Sequence, residues 1–106
     1  MEIVLELDAL LSSGREDSIS GRTFGEGYAE KEKIITNLKA GNTFKVKISD
    51  KISFINDSFW KGFFNEVFKH YKTKDRVSTF FKFEASAEFE NAIQENLSVL
   101  EAIYNH

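Results

Sequence analysis

The sequence predicts a small α/β fold: a single domain with a mostly parallel sheet of three or four strands and three helices. Two hydrophobic patterns alternate along the 106 residues, one with a period of two and one with a period of three to four. Such alternation implies right-handed crossovers and helices that cover at least one face of the sheet. A chain of this length has room for one hydrophobic core, so we expect one domain over residues 1–106.

Three segments have the composition or the period of strands. The first is "EIVLEL" at 2–7, which is short and rich in β-formers. The second is "TFKVKIS" at 43–49, in which apolar and polar residues alternate. The third is "RVSTFFKF" at 76–83, which combines β-branched and aromatic residues. The polar stretch 12–22 predicts the longest loop.

Three longer segments have the helical period. We expect helices near 24–40, 58–71 and 87–104, the first of them stopped by the glycine that follows Ala40. The middle helix carries a wide aromatic stripe, which predicts that it covers the sheet. Trp60 is the exception, because its place in the first turn, where strand-to-helix loops gather, favours contact with a partner.

Composition excludes several classes of protein. The net charge of -3 argues against a nucleic-acid partner. The chain has no cysteine, no apolar run near the roughly 20 residues of a membrane helix, and acids where a signal peptide needs a basic start. We therefore expect a cytoplasmic protein that does not bind a membrane.

Catalytic signals are weak. The only histidines are His70 and His106, and Ser58 lies about 18 Å from His70 if both share one helix, too far for a nucleophile and its base. Acids are spaced as on an exposed face, and no histidine cluster occurs. We expect no enzymatic activity, no cofactor and no metal.

The sequence "GEG" at 25–27 is similar to the start of a dinucleotide-binding loop. The third glycine of that motif is replaced by Glu30, and no phosphate-binding Gly-Lys-Ser/Thr follows. Close packing of the first helix is therefore the favoured explanation of these glycines.

Asn56, Asp57 and Ser58 interrupt two hydrophobic stretches. All three residue types satisfy free N–H groups in the first turn of a helix, so one interpretation is a simple helix cap. The other is that Ser58 is presented to a partner. The two interpretations are not exclusive.

Two stretches resemble bacterial STAS-like domains, relatives of the sulfate transporter and anti-sigma factor antagonist domains. They are "SGRTFGEGYAEKEKIITNLKAG" at 20–41 and "FKVKISDKISFINDSFWKGFF" at 44–64. Residues 52–55 match the apolar run before the antagonist motif, and Ser58 falls on the serine that is phosphorylated there. Asn56 and Asp57 depart from that motif, and residues 60–62 depart from the STAS-like pattern.

The resemblance implies a non-enzymatic regulatory module. Its partner would be a GHKL-type ATPase or serine kinase, and phosphorylation of Ser58 would control the affinity. We expect the partner-binding residues to be Arg22, Asp57, Ser58, Trp60 and Lys61.

A second class of function stays open. A small acidic protein could be an immunity protein or antitoxin that neutralises a toxin by stoichiometric binding. An exposed acidic patch would favour this alternative, and its candidate members are Glu16, Asp17, Glu26, Glu30 and Glu32.

Overall fold

Parallel strands and five α-helices make up the computed structural model, which describes residues 1–11 and 18–105. The strands are β1 (Glu2–Glu6), β2 (Ser18–Ile19), β3 (Thr43–Lys47), β4 (Phe54–Ile55) and β5 (Phe81–Glu84). The helices are α1 (Arg22–Lys31), α2 (Ile34–Lys39), α3 (Asp57–Tyr71), α4 (Lys74–Phe80) and α5 (Ala87–Tyr104). A 3₁₀ turn at Leu7–Leu10 follows β1.

The central sheet has three strands in the order β1-β3-β5, all parallel. In its register, Val46 of β3 lies between Leu5 and Phe83. β2 and β4 form a separate parallel pair, in which Ile19 is level with Ile55. A small α/β domain with a parallel sheet is therefore confirmed, although four strands do not join in one sheet.

The two faces of the central sheet differ in character. On one face the side chains of Leu5, Phe44 and Val46 are buried, as the alternation in β3 predicts. On the other face Glu2, Lys82 and Glu84 are exposed, and Lys82 forms an ion pair with Glu2 at 3.8 Å. Because these charged side chains are exposed, this face of the sheet is in contact with solvent. Ion pairs between exposed groups contribute little to stability.

α3 covers the buried face of the sheet, as its aromatic stripe predicts. Its buried positions recur every three or four residues, and the rings of Phe63 and Phe64 lie edge-on to Phe81 of β5 with centroids 6.0 and 5.2 Å apart. α5 was also expected at its observed position. It begins after Ser86, whose hydroxyl accepts the backbone N–H of Phe89.

Two expectations about secondary structure are wrong. The helix expected over 24–40 is two helices, because Lys33 adopts the left-handed conformation with φ of 53° and ends the hydrogen-bond ladder. Residues 76–80 belong to α4 instead of a strand, since Thr73 caps this helix by accepting the N–H of Arg76. Only the end of the expected third strand, in β5, joins the sheet.

The expected loop at 12–22 is shorter than predicted at its C-terminal end, because β2 and the start of α1 fall within it; residues 12–17 lie outside the described part of the chain. Among the described residues, none of the helices has the length and apolarity needed to cross a membrane.

Candidate functional site

Asn56 caps the N-terminus of α3. Its side-chain oxygen accepts the backbone N–H of Ser58 at 2.9 Å and the hydroxyl of the same residue at 2.8 Å. A backbone N–H in the first turn of α3 thus has an amide oxygen as its acceptor, which explains why a polar residue follows Ile55. The cap interpretation of this stretch is confirmed.

Ser58 connects α3 to α1. Its hydroxyl oxygen also accepts the backbone N–H of Gly21, at 3.2 Å, and Gly21 is the N-cap residue of α1 with φ of 105°. The N-termini of two helices therefore converge on one half-buried hydroxyl. Because both termini carry partial positive charge and unpaired N–H groups, this is a favourable place for an anion.

Asp57 has a structural contact of its own. Its carboxylate accepts a hydrogen bond from the Asn96 side chain at 3.0 Å, and Asn96 is buried in α5, where it also donates to the Ala92 carbonyl. Asp57 is nevertheless exposed. It therefore ties the start of α3 to α5 while its remaining carboxylate surface faces solvent.

The charged residues expected to contact a partner remain accessible. Arg22, which directly follows Gly21, is exposed and forms a weak ion pair with Glu26 at 3.9 Å. Lys61 is half-buried and lies on the next turn of α3. Both residues lie on elements that adjoin Ser58. That they contact a partner stays a prediction.

Trp60 does not lie on this surface. Its side chain is 1% exposed and packs against Phe59, Phe64 and Phe83, with ring centroids 5.2 to 6.4 Å apart. The expectation that Trp60 anchors a partner is therefore wrong, and the reason is its place on the same aromatic stripe as its neighbours. Its indole N–H is buried without a hydrogen-bond acceptor among the described residues.

Two other aromatic residues are exposed near the start of α3. Phe24, in the first turn of α1, is 44% exposed and its ring lies 6.0 Å from that of Phe59. Phe54, in β4, is 55% exposed. Neither residue is among the expected partner-binding residues, and Phe54 lies in the run 52–55 that resembles the one in the antagonist domains. In β4, Phe54 is exposed and its neighbour Ile55 is buried, so the two side chains point to opposite sides of the strand.

The remaining candidates lie away from Ser58. His70 is at the other end of α3 and approaches Glu66 at 4.0 Å. Among the described residues, His, Asp and Glu side chains form no group of three that could hold a metal ion. Of the acidic patch, Glu26 and Glu30 are exposed and Glu32 is half-buried, while Glu16 and Asp17 lie outside the described residues. A toxin-neutralising role stays a prediction.

Comparison with known proteins identifies no family for this chain. Nothing matches it among protein-family models, curated proteins or solved structures. Function is therefore inferred from the residues around Ser58 and from the motif resemblance at 20–41 and 44–64.

Proposed function

We propose that this protein is a non-enzymatic regulatory module of the STAS-like type. In this proposal it binds a GHKL-type ATPase or serine kinase through the surface around the start of α3. Phosphorylation of Ser58 controls the affinity. The observation that carries the proposal is the hydrogen bond from the Gly21 N–H to the Ser58 hydroxyl, which places this serine at two helix N-termini.

The helix N-termini make a phosphate at Ser58 compatible with the fold. A phosphoserine carries about -1.5 to -2 charges, and a helix N-terminus stabilises a negative charge by roughly 0.3–1 kcal/mol. A phosphate oxygen could still accept the Gly21 N–H, and Asn56 would still accept the Ser58 N–H. Only the hydroxyl's own donated bond to Asn56 would be lost.

The same phosphate would oppose binding of a partner. It would lie next to the Asp57 carboxylate, so the binding surface would carry two neighbouring negative charges. Burying such a charge in a contact without a matching cation costs several kcal/mol. The modification thus changes the binding surface and leaves the fold intact.

The surface offers the groups that dominate protein interfaces. Arg22, Phe24 and Phe54 are exposed, and aromatic and arginine side chains carry much of the binding energy in typical contacts. Lys61 adds a cation on the next turn of α3. We expect these residues to take the role that Trp60 cannot take.

Phosphoserine placed at position 58 by genetic code expansion tests this function directly. The partner is a GHKL-type ATPase from the same genome, titrated by calorimetry. We expect wild type and Ser58→Ala to bind alike and phosphoserine at 58 to weaken binding by about tenfold or more, since each 1.4 kcal/mol is a factor of ten. Phosphoserine at position 98, an exposed site on α5, is the matched control and should not weaken binding. Equal affinities for all four proteins would contradict control by Ser58.

A further inference from the structure

The solvent-facing side of α5 carries a contiguous apolar patch. Val99 and Ile103 are 44% and 52% exposed, and they lie four residues apart, so they are neighbours on one side of the helix. Ala102, three residues after Val99, is also exposed and extends the patch. No other helix exposes two large apolar side chains in the part of the chain that the structure describes. Adjacent exposed apolar residues favour a contact site more than scattered ones do.

Neither the core nor helix propensity explains these side chains. The buried face of α5 is filled by Ile93, Leu97 and Leu100, which are at most 2% exposed. Val99 and Ile103 lie outside that stripe. Because β-branched residues form helices less readily than alanine or leucine, an exposed helical position does not favour them. A contact with another molecule is the better explanation.

α5 is also an acidic helix. It contains no lysine or arginine, and its four acidic residues are Glu88, Glu90, Glu95 and Glu101. None of the four forms an ion pair with a described residue. Lys74 of α4 donates its side-chain amine to Ser98 at 2.9 Å and its backbone N–H to Glu101 at 2.6 Å. Four glutamates beside one lysine leave this helix with uncompensated negative charge.

Glu95 joins the charge to the apolar patch. It precedes Val99 by four residues and therefore lies on the same side of the helix. The helix dipole favours Glu88 and Glu90, which are in the first turn, but it gives no such support to Glu95 in the middle of α5. The Glu95 carboxylate has no hydrogen-bond or ion-pair partner among the described residues. It is a free anion one turn from the apolar patch.

We propose that this side of α5 binds an amphipathic helix of a partner protein, in which Lys or Arg residues flank an apolar stripe. The apolar side chains of the partner pack against Val99, Ala102 and Ile103, and a cation one turn away meets Glu95. The convex surface of a helix suits a second helix, whereas extended peptides use grooves or sheet edges. From Glu88 to Ile103 this side of α5 is about 22 Å long, which matches a partner helix of roughly four turns.

Charge argues against a second copy of the chain as the occupant. Since α5 has no lysine or arginine, a second α5 would bring glutamates against glutamates without a cation between them. The net charge of -3 on each chain acts in the same direction. A basic helix removes this repulsion and supplies the missing cations.

Two synthetic helical peptides of 18 residues test the proposal on the full chain. Both have Leu at the a and d positions of a heptad repeat, and the flanking e and g positions are Lys in one peptide and Glu in the other. Calorimetry measures their affinities at concentrations at which light scattering finds the peptides monomeric, and backbone amide resonances map the contact. We expect the Lys peptide to shift resonances in 88–103 and the Glu peptide to bind at least about tenfold more weakly.

Three results with these peptides would overturn the proposal. They are equal affinities for the two peptides, no binding of the Lys peptide, and resonance shifts confined to segments outside 88–103. Light scattering that showed a dimer of the chain with 88–103 in its interface would assign the patch to a second copy and would overturn it as well.

Removal of the apolar patch separates a specific contact from general attraction. The double variant Val99→Thr with Ile103→Thr should weaken binding of the Lys peptide by about tenfold. Val4→Thr is the matched control, because Val4 is 48% exposed in β1, and it should leave the affinity within about twofold. The melting temperature of each variant checks that the fold is intact. Equal losses for the two variants would contradict a site on α5.

Removal of one charge tests the role of Glu95. Glu95→Gln should weaken binding of the Lys peptide severalfold, whereas Glu30→Gln, which removes an exposed glutamate from α1, should have little effect. Equal effects of the two variants would show that only the net charge of the protein matters, and the proposal would be wrong. None of these variants alters Ser58, so failure here leaves the phosphoserine test unaffected.

Discussion

Gly25 of α1 and Gly62 of α3 lie at the same helix crossing, each against the backbone of the opposite helix. A Cβ at Gly25 would lie 2.8 Å from the Phe63 nitrogen, and one at Gly62 would lie 2.9 Å from the Arg22 carbonyl carbon. The two helices therefore approach more closely than side chains would allow. This crossing brings Gly21 within hydrogen-bond distance of Ser58 and confirms that Gly25 serves close packing.

Substitution at this crossing should destabilise the protein strongly. We expect Gly62→Ala to lower the free energy of unfolding by about 2 kcal/mol or more, because overpacking against an immovable backbone outweighs the better helix propensity of alanine. Urea denaturation provides the measurement. Gly27→Ala is the matched control, since nothing lies within 4 Å of its Cβ position. It should raise stability by about 0.5–1 kcal/mol, and a loss similar to that of Gly62→Ala would contradict this explanation.

Trp60 should behave as a core residue. We expect Trp60→Ala to cost about 3–5 kcal/mol of stability, as for other large aromatic residues that leave a cavity. Trp60→Phe should cost much less, because it also removes the buried indole N–H that has no acceptor among the described residues. Since Trp60 is the only tryptophan, native fluorescence should be blue-shifted and should move to the red on unfolding. Red-shifted emission from the native protein would instead place Trp60 at the surface.

Long periodic segments were predictable, and short ones were not. The apolar residues of α3 and α5 recur with the helical period over several turns, so each of them supports the prediction of a helix. Residues 76–80 have β-branched and aromatic character, but the cap at Thr73 and the burial of Val77 favour a helix of about two turns. The break at Lys33 has no sequence signal, because lysine seldom adopts positive φ.

The candidate site was predictable only in part. The cap at Asn56 follows from local residue preferences, which act within one turn of helix. The bond between Ser58 and Gly21 joins residues that are 37 positions apart, and it depends on how α1 crosses α3. The exposure of Phe24 and the burial of Trp60 depend on the same crossing. Sequence periodicity does not specify how two helices cross.

Glycine at position 72 should stabilise α3. Lys72 follows the helix with φ of 64°, a conformation that costs a residue with a Cβ about 1–2 kcal/mol, and its N–H bonds the Phe68 carbonyl. We expect Lys72→Gly to raise the melting temperature and Lys72→Ala, which also removes the charged side chain but keeps the Cβ, to leave it unchanged or lower it. Equal shifts for both variants would assign the effect to the lysine side chain.

Alkaline pH should destabilise the protein through Tyr28. Burial, with a smaller contribution from the nearby Glu32 carboxylate, raises the pKa of Tyr28 from 10.0 to about 12. The Tyr28 side chain is 8% exposed, and its ring centroid lies 5.8 Å from that of Phe63. A phenolate at Tyr28 would therefore have aromatic neighbours in place of much of its water, which disfavours the charged form.

The direction of this effect follows from the raised pKa. Between pH 10 and 12 the unfolded chain has released the Tyr28 proton and the folded chain has kept it, so the free energy of unfolding falls as the pH rises through this window. Below pH 10 the contribution is fully present. Two pKa units correspond to a loss of the order of 2 kcal/mol. Urea denaturation at a series of pH values should show this loss for wild type and a shallower decline for Tyr28→Phe, which has no proton to release. Parallel declines for the two proteins would show that Tyr28 ionises equally in the folded and unfolded chain, and would contradict its raised pKa.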